Sequence, residues 1–386
     1  MMQKWLLSEE CTGCGLCAGS CPAGAIKMKE DECGFLYPSF NENCIDCGLC
    51  QTKCESRLKP VKDAFLEPAV YAAWSKDEET RFTSTSGGLF PELAKAVLDE
   101  NGYIAGAVYD EKNDVVHTII DSSDELWRLQ QSKYVQSDTM DVFKQAADLI
   151  RQGRQVLFCG TPCQVSAMLS MFDNRRPDNL YTVDFICRGV NSPKAFRSWI
   201  SGIEKKEKSE VKRVWFKYKD GGWKSSPTRT RIDFESGREI VLRNEENTFM
   251  YGYLTSNLFM RSSCGKCSFK GLPRKADITL ADFWGADPDI DDDKGVSLVI
   301  VNNAHGEKLF EKTKNSIVYS KKNLEESLNK NPMFFSSEII PVDSQKFLKE
   351  LGDDNFSDLL EKYTRQSPVK KLMQKAKNKV KRFDKN

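Results

Sequence analysis

The sequence is short of the residues and runs on which several common classes of protein depend. It has only two histidines, His117 and His305, so an acid–base mechanism built on histidine has little to draw on. Its longest aliphatic run, residues 296–301, is far too short to span a bilayer. Residues 1–10 carry no long apolar segment of the kind found in signal peptides. Neither a Gly-x-Gly-x-x-Gly fingerprint nor a P-loop occurs, which favours neither a standard dinucleotide fold nor nucleotide hydrolysis.

An excess of charge of one sign is also absent. Lys and Arg together number 57, Asp and Glu number 56, and the net charge is +1. Nucleic acids and anionic membranes attract proteins through basic surfaces. The overall charge therefore predicts no nucleic-acid partner, and the length of 386 residues suits two or three domains with cores of their own.

Cysteine is abundant, with 14 residues. Eight of these residues form two runs of one spacing, Cys-x2-Cys-x2-Cys-x3-Cys, which is typical of chains that bind two 4Fe-4S clusters. In such chains the fourth cysteine of each run binds the cluster of the other run. We therefore predict one cluster on Cys11, Cys14, Cys17 and Cys54, and a second on Cys21, Cys44, Cys47 and Cys50.

Glycines within these runs, Gly13, Gly15 and Gly48, allow the backbone to turn closely around a cluster because they lack a Cβ atom. Structural zinc is the alternative, since Cys-x2-Cys pairs also bind zinc. Two sets of four cysteines with the ferredoxin spacing favour iron–sulfur clusters. Cys33 fits neither run and is predicted to be a buried thiol. Cysteines at metal spacing, rather than in a disulfide framework, predict a cytoplasmic location.

The rest of the chain predicts a mixed α/β (α+β) core. Apolar strands alternate with helices between residues 69 and 187, as in a parallel sheet. Three short β segments within residues 212–242 predict a small antiparallel section, and the chain beyond a last strand at 296–302 is predicted to be helical. The predicted divisions are residues 1–60 for a ferredoxin-like unit, 66–145 and 146–310 for two parts of the core, and 311–386 for a helical C-terminal region.

Four further cysteines come from three separate segments. Cys163 and Cys187 each follow a predicted parallel strand, at the edge where open α/β sheets bind ligands. Cys264 and Cys267 form a Cys-x2-Cys pair in one loop. These thiols could converge on a third cluster. The alternative is that Cys159 and Cys187 are small buried residues, as free cysteines often are.

A turn rich in hydroxyl groups and glycine, residues 83–88, precedes a predicted helix. The backbone N–H groups at the start of a helix bind phosphate, so this turn suits a phosphate or pyrophosphate group. An ordinary capping turn is the alternative.

Six motifs together resemble the beta subunit of the deazaflavin (coenzyme F420)-reducing hydrogenases and dehydrogenases. The bacterial members with a two-cluster ferredoxin unit fused in front are the most similar, and the resemblance covers about residues 1–310. The motifs are Ser-Thr-Ser-Gly-Gly at 84–88, Ser-Lys-Tyr at 132–134, Gly-Thr-Pro-Cys-Gln at 160–164, Cys-Arg-Gly-Val-Asn-Ser-Pro at 187–193, Cys264-x2-Cys267, and Ala-Asp-Ile-Thr-Leu-Ala-Asp-Phe-Trp-Gly at 276–285.

The resemblance implies an oxidoreductase that binds FAD and 4Fe-4S clusters and carries electrons between ferredoxin-type donors and a flavin. Residues 66–145 and 146–310 then correspond to the two parts of the family's flavin-binding domain. The implied FAD-binding residues are Thr85, Ser86, Gly87, Gly88, Ser132, Lys133, Tyr134, Gly160, Thr161 and Pro162. The resemblance also implies that Cys163, Cys187, Cys264 and Cys267 bind a third 4Fe-4S cluster.

Within these motifs the chain departs from the family pattern at Arg188, Asn191 and Ala281, so the substrate of better-known relatives does not transfer to it. We predict that Lys133 stabilises negative charge on the reduced flavin, the alternative being a surface lysine in a polar linker. Protons could come from Tyr134, Asp282 or water.

Two functions fit these inferences. Clusters and a flavin together convert single electrons into pairs, which predicts an enzyme that reduces a small organic acceptor. The alternative is a non-catalytic electron-input subunit that docks on a separate oxidoreductase. Self-association into a homo-oligomer stays open. Residues 368–386 predict a basic amphipathic helix that contacts an anionic membrane or an acidic partner such as ferredoxin, or else packs on its own domain.

Overall fold

The structure is a computed structural model, and it describes residues 10–56 and 58–365. Its strands are β1 (Ile26–Glu30), β2 (Leu36–Phe40), β3 (Ala69–Ser75), β4 (Tyr103–Tyr109), β5 (Val115–Ile120), β6 (Val156–Cys159), β7 (Leu180–Phe185), β8 (Val211–Phe216), β9 (Thr230–Phe234), β10 (Glu239–Leu242), β11 (Ile278–Asp282), β12 (Ser297–Val301) and β13 (Ile317–Lys322). Its α-helices are α1 (Leu16–Gly19), α2 (Leu49–Ser56), α3 (Glu78–Thr83), α4 (Leu89–Leu98), α5 (Leu126–Leu129), α6 (Met140–Arg151), α7 (Pro162–Ser170), α8 (Pro193–Glu207), α9 (Thr248–Thr255), α10 (Ala304–Thr313), α11 (Leu324–Leu328), α12 (Ser344–Glu350) and α13 (Phe356–Thr364).

An eight-stranded mixed sheet forms the centre of the fold, in the order β13-β3-β12-β11-β7-β6-β4-β5. The neighbouring strands β11, β7, β6 and β4 run parallel to one another. Antiparallel pairing adds β5 at one edge and β12, β3 and β13 on the other side. Parallel strands are normally covered on both faces, and β7 is accordingly buried at every position except Phe185.

Helices cover both faces of this sheet. The first face is packed by α4 and α10 through residues such as Leu93 and Phe310. The second face is packed by α6 and α7 through residues such as Phe143. Successive residues of a strand point to opposite faces, so Leu157 belongs to the first core and Phe158 to the second.

A second sheet, β10-β9-β8, is antiparallel and has a core of its own. Its inner side chains pack with helices α8, α9 and α13 around an aromatic group that includes Trp199, Phe216, Phe249 and Phe356. This sheet lies between the parallel strands β7 and β11 along the sequence, and Lys217 follows directly after β8.

The cysteine-rich region, residues 10–56, packs directly on the core. Its hairpin is β1–β2, while α1 contacts α6 and α2 contacts α7. Arg261 is fully buried between the two regions and donates a hydrogen bond to the carbonyl oxygen of Cys11, at 2.9 Å. The Arg261 guanidinium also lies over the ring of Tyr37, 4.2 Å from the ring centre. In the part of the chain that is described, no helix is long and apolar enough to cross a membrane.

The predicted fold class is confirmed, including the small antiparallel section and the helices near the C-terminal end. One local detail differs. Strand β13 lies in the region predicted to be helical, and its polar end with Lys321 and Lys322, typical of an edge strand, hides the strand pattern. The predicted basic helix at 368–386 lies outside the described residues.

Candidate iron–sulfur and cofactor site

The two cysteine runs interleave in the structure. Burial, and then the neighbouring thiols Cys14, Cys11 and Cys54, raise the pKa of Cys17 above its usual range. Cys54 is the fourth cysteine of the second run, yet it lies beside the first three cysteines of the first run.

In the same way, Cys21 of the first run lies with cysteines of the second run. Burial raises the pKa of Cys50, and the thiols of Cys21 and Cys47 add to that rise. In this second set Cys44 and Cys47 are exposed, although Cys50 is buried. In the first set Cys17 is buried and the other three cysteines are partly buried. The second set therefore lies nearer to solvent than the first.

Glycine is required at the centre of the first run. Gly13 has a φ of +64°, and a Cβ atom there would lie 2.7 Å from the carbonyl oxygen of Leu36 and would overlap the Gln136 amide. That amide accepts a hydrogen bond from the N–H of Leu36, at 2.9 Å, so loop and core are in close contact at this glycine. Gly15 and Gly48 also have positive φ, at 78° and 70°. The conformations suit the tight turns that the runs predict. Cys33 is buried in the aromatic core, as predicted.

The four cysteines predicted to bind a third cluster line one small cavity. Its volume is about 40 Å³, and its wall includes Cys163, Cys187, Cys264 and Cys267, together with Cys14 of the first run. Cys187 interacts electrostatically with Cys264, Cys163 and Cys267, and burial together with these thiols raises its pKa. The structure thus brings together four cysteines that lie far apart in the sequence.

Strand ends explain this convergence. Cys163 lies in the first turn of α7, directly after β6, and Cys187 lies just beyond β7. The two strands are parallel neighbours, so their carboxyl ends meet at one edge of the sheet. Cys264 lies in the turn Ser262–Lys266 and Cys267 follows it directly, and both line the cavity with Cys163 and Cys187.

Polar groups surround this cysteine set. The Thr161 hydroxyl lies 3.1 Å from the sulfur of Cys163. The Lys270 ammonium donates hydrogen bonds to the carbonyl oxygens of Cys187, at 2.6 Å, and Met333, at 2.7 Å. Hydrogen bonds and charges of this kind set the reduction potential of an iron–sulfur cluster.

The donor chemistry of this set fits an iron–sulfur cluster. Burial raises the pKa of the free Cys163 thiol to about 12, so a deprotonated sulfur is costly there without a cation. Metal coordination supplies that cation and binds the thiolate. Among the described residues, no three His, Cys, Asp or Glu side chains adopt the geometry of a single-ion site.

A larger cavity adjoins the cysteine set. Its volume is about 440 Å³, within the range of about 300–1,000 Å³ that is common for ligand pockets, and its lining is mainly apolar. Of the predicted FAD-binding residues, its wall includes Thr85, Ser86, Gly88, Ser132, Lys133, Tyr134, Gly160 and Thr161.

Gly87 and Pro162 are not part of this wall. The Gly87 N–H donates to the Ser297 hydroxyl at 3.0 Å, and a Cβ atom on Gly87 would lie 2.5 Å from the carbonyl oxygen of Ala73. Gly87 therefore packs the turn against β3 and β12. Pro162 instead lines the smaller, cysteine-lined cavity.

The start of α4 faces the larger cavity. Gly88 precedes the helix with a φ of +84°, and no side chain caps the first backbone N–H groups. Gly88, Leu89 and Phe90 all line the cavity. The N–H groups of Leu89 and Phe90, which no side chain caps, lie at the N-terminus of a ten-residue helix and suit a pyrophosphate, so this wall fits a dinucleotide such as FAD.

Five polar side chains lie in a row along the same wall. The hydroxyls of Thr85 and Ser132 lie 3.0 Å apart. Burial raises the pKa of Tyr134, while its neighbours Lys217 and Ser132 interact with its hydroxyl and oppose that rise. The Lys217 ammonium in turn donates to the carboxylate of Asp282. All five residues line the cavity, although they come from four separate segments of the chain.

Lys217 is the member of this row that the sequence did not reveal. Burial alone would lower its pKa, but the charge of Asp282 and the Tyr134 hydroxyl raise the pKa of Lys217 above its usual range. Its ammonium nitrogen also lies 5.3 Å from the ring centre of Trp284. The only local signal is its place at the end of a short strand, which does not identify a site.

Lys133 reaches the cavity wall, but its ammonium is bound to backbone. It donates hydrogen bonds to the carbonyl oxygens of Arg128 at 2.8 Å, Gln130 at 2.7 Å and Gln131 at 3.4 Å. Lys133 therefore holds the loop that carries Ser132 and Tyr134, a role that the sequence did not predict.

The two cavities share part of their walls. Thr161, Gln164, Cys187 and Arg188 line both of them. The Gln164 side chain accepts a hydrogen bond from the N–H of Thr161 at 2.9 Å and donates one to the Ser137 hydroxyl at 2.9 Å. A single layer of side chains therefore separates the cysteine set from the larger cavity.

Three family models match parts of this chain. Residues 70–144 match the family model described as coenzyme F420 hydrogenase/dehydrogenase, beta subunit N-term, and residues 153–327 match the model for the C terminus of that subunit. Residues 10–58 match a 4Fe-4S dicluster domain. A chain in the solved F420-reducing [NiFe] hydrogenase complex from Methanosarcina barkeri is similar at 17% identity and a TM-score of 0.46, over 78% of this chain and 92% of that chain. A search of curated proteins found no match.

Proposed function

Because the chain belongs to the coenzyme F420 hydrogenase/dehydrogenase beta subunit family and carries a 4Fe-4S dicluster domain, we propose that it is an iron–sulfur flavoprotein oxidoreductase. Its function is to pass electrons from a ferredoxin-type donor through 4Fe-4S clusters to FAD, and on to an organic acceptor. FAD exchanges electrons singly with clusters and in pairs with organic molecules.

One observation carries this proposal, namely the order in which the cysteine sets and the large cavity adjoin one another. Cys14 of the first run lies in the wall of the small cavity with Cys163, Cys187, Cys264 and Cys267. Cys187 lies in the walls of both cavities. A path from Cys14 of the first run to the large cavity thus runs through adjacent cysteines.

The residues of this chain take distinct parts in that path. Cys163, Cys187, Cys264 and Cys267 would hold a third 4Fe-4S cluster, beside the Thr161 hydroxyl and the Lys270 ammonium that set its potential. The start of α4 would bind the FAD pyrophosphate, and Ser132 and Tyr134 would line the flavin. The largely apolar wall would exclude water from the reduced cofactor.

The proposal also concerns the identity of the electron acceptor. The family description makes the deazaflavin F420 the first acceptor to test. Arg188 is a reason to test others as well, because its guanidinium is paired with Glu338 at 2.5 Å and lines the large cavity where the family pattern has histidine.

The proposal is tested with the anaerobically purified chain supplied with FAD and chemically reduced ferredoxin. Turnover of F420 or another small acceptor, followed by its absorbance, identifies an enzyme. A bound flavin that is reduced without any turnover identifies an electron-input subunit that serves a separate partner. A chain that binds no FAD would contradict the proposal.

A further inference from the structure

The row Thr85–Ser132–Tyr134–Lys217–Asp282 has a consistent direction of hydrogen bonding. The Lys217 ammonium has only donors, and it contacts the Asp282 carboxylate and the Tyr134 hydroxyl. Each hydroxyl beyond it can accept from one neighbour and donate to the next. Thr85 Oγ1 already accepts from the N–H of Ser132 at 2.9 Å, so its own hydrogen is available to point into the cavity.

A proton supply is a chemical requirement of the proposed function. Iron–sulfur clusters deliver electrons without protons, whereas full reduction of a flavin takes up two electrons and one proton. A second proton is needed when the pair of electrons passes to an organic acceptor as a hydride and that acceptor becomes a neutral dihydro product. Each turnover therefore draws protons from solvent into a cavity whose lining is mainly apolar.

Three other ionisable groups in the cavity wall are already engaged. The imidazole Nε2 of His117 is bonded to the carbonyl oxygen of Cys159 at 3.1 Å. The Lys133 ammonium is directed to three backbone carbonyl oxygens. Asp184 is paired with Arg274 at 2.8 Å and accepts from the Thr279 hydroxyl at 2.6 Å. Lys217, in contrast, adjoins the row of hydroxyl groups formed by Tyr134, Ser132 and Thr85.

We propose that the row from Asp282 through Lys217, Tyr134 and Ser132 to Thr85 is the proton path of the flavin site. Lys217 gives a proton to the Tyr134 hydroxyl as Tyr134 passes its own proton along Ser132 and Thr85 to the cofactor. Solvent then returns a proton to Lys217, whose charge is stabilised by Asp282. This inference rests on the proposed function, because it needs a flavin in the large cavity.

The test uses anaerobic stopped-flow reduction of the full chain loaded with iron and FAD. Dithionite supplies the electrons, and absorbance separates the bleaching of the clusters from that of the flavin. Tyr134→Phe keeps the ring and removes the hydroxyl, and Lys217→Met removes the ammonium from a side chain of similar length. Tyr251→Phe is the matched control, since Tyr251 is exposed on α9 and does not line the cavity.

A broken proton path should slow the flavin phase by about 100-fold in Tyr134→Phe and in Lys217→Met, the lower end of typical proton-transfer contributions. The cluster phase should not change, and FAD affinity should stay within about threefold, well under the tenfold change that 1.4 kcal/mol produces. The double variant should be no slower than the slower single variant, because both changes break the same path. The flavin phase should also rise with the concentration of buffer acid in Tyr134→Phe but not in the unsubstituted chain.

A flavin phase as fast in Tyr134→Phe as in Tyr251→Phe, with FAD bound in both, would overturn the proton path and leave the proposed function standing. Failure of the unsubstituted chain to bind FAD would overturn both. If Tyr134→Phe itself loses FAD, Thr85→Val tests the cavity end of the row in the same way, and an unchanged flavin phase there overturns the path.

Discussion

Cys14 and Cys163 lie in the wall of one cavity of about 40 Å³, and their thiols interact electrostatically. Cys14 belongs to the first ferredoxin-type run, whereas Cys163 lies in the first turn of helix α7 of the α/β core. The contact between the two regions is therefore made at the residues that would bind clusters.

Replacing Cys163 with serine should remove one cluster and leave two. Three 4Fe-4S clusters require about twelve iron atoms per chain, so the variant should retain about eight. Elemental analysis after anaerobic purification measures this directly. Cys159→Ser is the matched control, since Cys159 lies in the wall of the large cavity and not with the other four thiols. An iron content that does not fall in Cys163→Ser, or zinc in place of iron, would contradict the third cluster.

The exchange of the fourth cysteine between the two runs predicts different effects for Cys54 and Cys21. Cys54→Ser should damage the inner cluster beside Cys163, and Cys21→Ser the cluster nearer to solvent, with a loss of about four iron atoms in each case. Reduction of the flavin by an external donor protein should slow in both variants. Dithionite is small and can reach the inner groups directly, so it should reduce the flavin of Cys21→Ser as fast as that of the unsubstituted chain. If dithionite reduced the flavin slowly in Cys21→Ser but not in Cys54→Ser, the assignment of these two cysteines to the inner and outer clusters would be reversed.

Lys133→Ala should weaken FAD binding and leave the clusters intact. Its ammonium holds the carbonyl oxygens of Arg128 and Gln130, and without it the loop carrying Ser132 and Tyr134 loses hydrogen bonds to a charged group. Such a loss is worth at least about 1.5 kcal/mol, or roughly a tenfold increase in the dissociation constant. Fluorescence titration with FAD measures the change. The exposed Lys144 gives the control Lys144→Ala, and equal affinity in the two variants would exclude a role for Lys133.

His117 should make the fold sensitive to mild acid. Burial lowers the pKa of His117 from 6.5 to about 4. Its Nε2 faces the Cys159 carbonyl, and its Nδ1 has no partner among the described residues, so a second proton would find no acceptor. The unfolded chain binds this proton near pH 6.5 and the folded chain only near pH 4, so stability is full above about pH 6.5 and falls as the pH drops toward 4.

The expected loss from His117 is about 2 kcal/mol of unfolding free energy between pH 7 and pH 5. His117→Gln keeps a donor for the Cys159 carbonyl and cannot gain a charge, so it should lose less stability over that interval. Urea unfolding at the two pH values measures the difference. His305→Gln, at the only other histidine, is the control. Equal acid sensitivity in both variants would show that His117 is not responsible.

Sequence patterns predicted the features that depend on short spacing. The cysteine runs and the start of α4 after Gly88 are each encoded within a few residues. The convergence of Cys163 with Cys187 was also open to prediction, because parallel strands end at the same edge of a sheet. Of the residues that the resemblance implied for FAD, all except Gly87 and Pro162 line the large cavity.

Features that depend on contacts between distant segments were not predicted. Lys217 acquires its environment from Asp282 and Tyr134, which lie on other elements, and nothing around Lys217 in the sequence marks it. The backbone role of Lys133 was hidden for the same reason, since it depends on where the preceding loop folds back. Strand β13 was missed because pairing with β3, rather than its own composition, fixes it as a strand.

Arg261 has a consequence for the kinetics of the chain. It is buried, holds the Cys11 carbonyl, and lies over the rings of Phe35 and Tyr37. Because these contacts hold the cysteine-rich region against the core, we expect it to receive and donate electrons in one position. Internal transfer should therefore proceed at the same rate in dilute buffer and in viscous glycerol solution, and only the encounter with the external donor should slow.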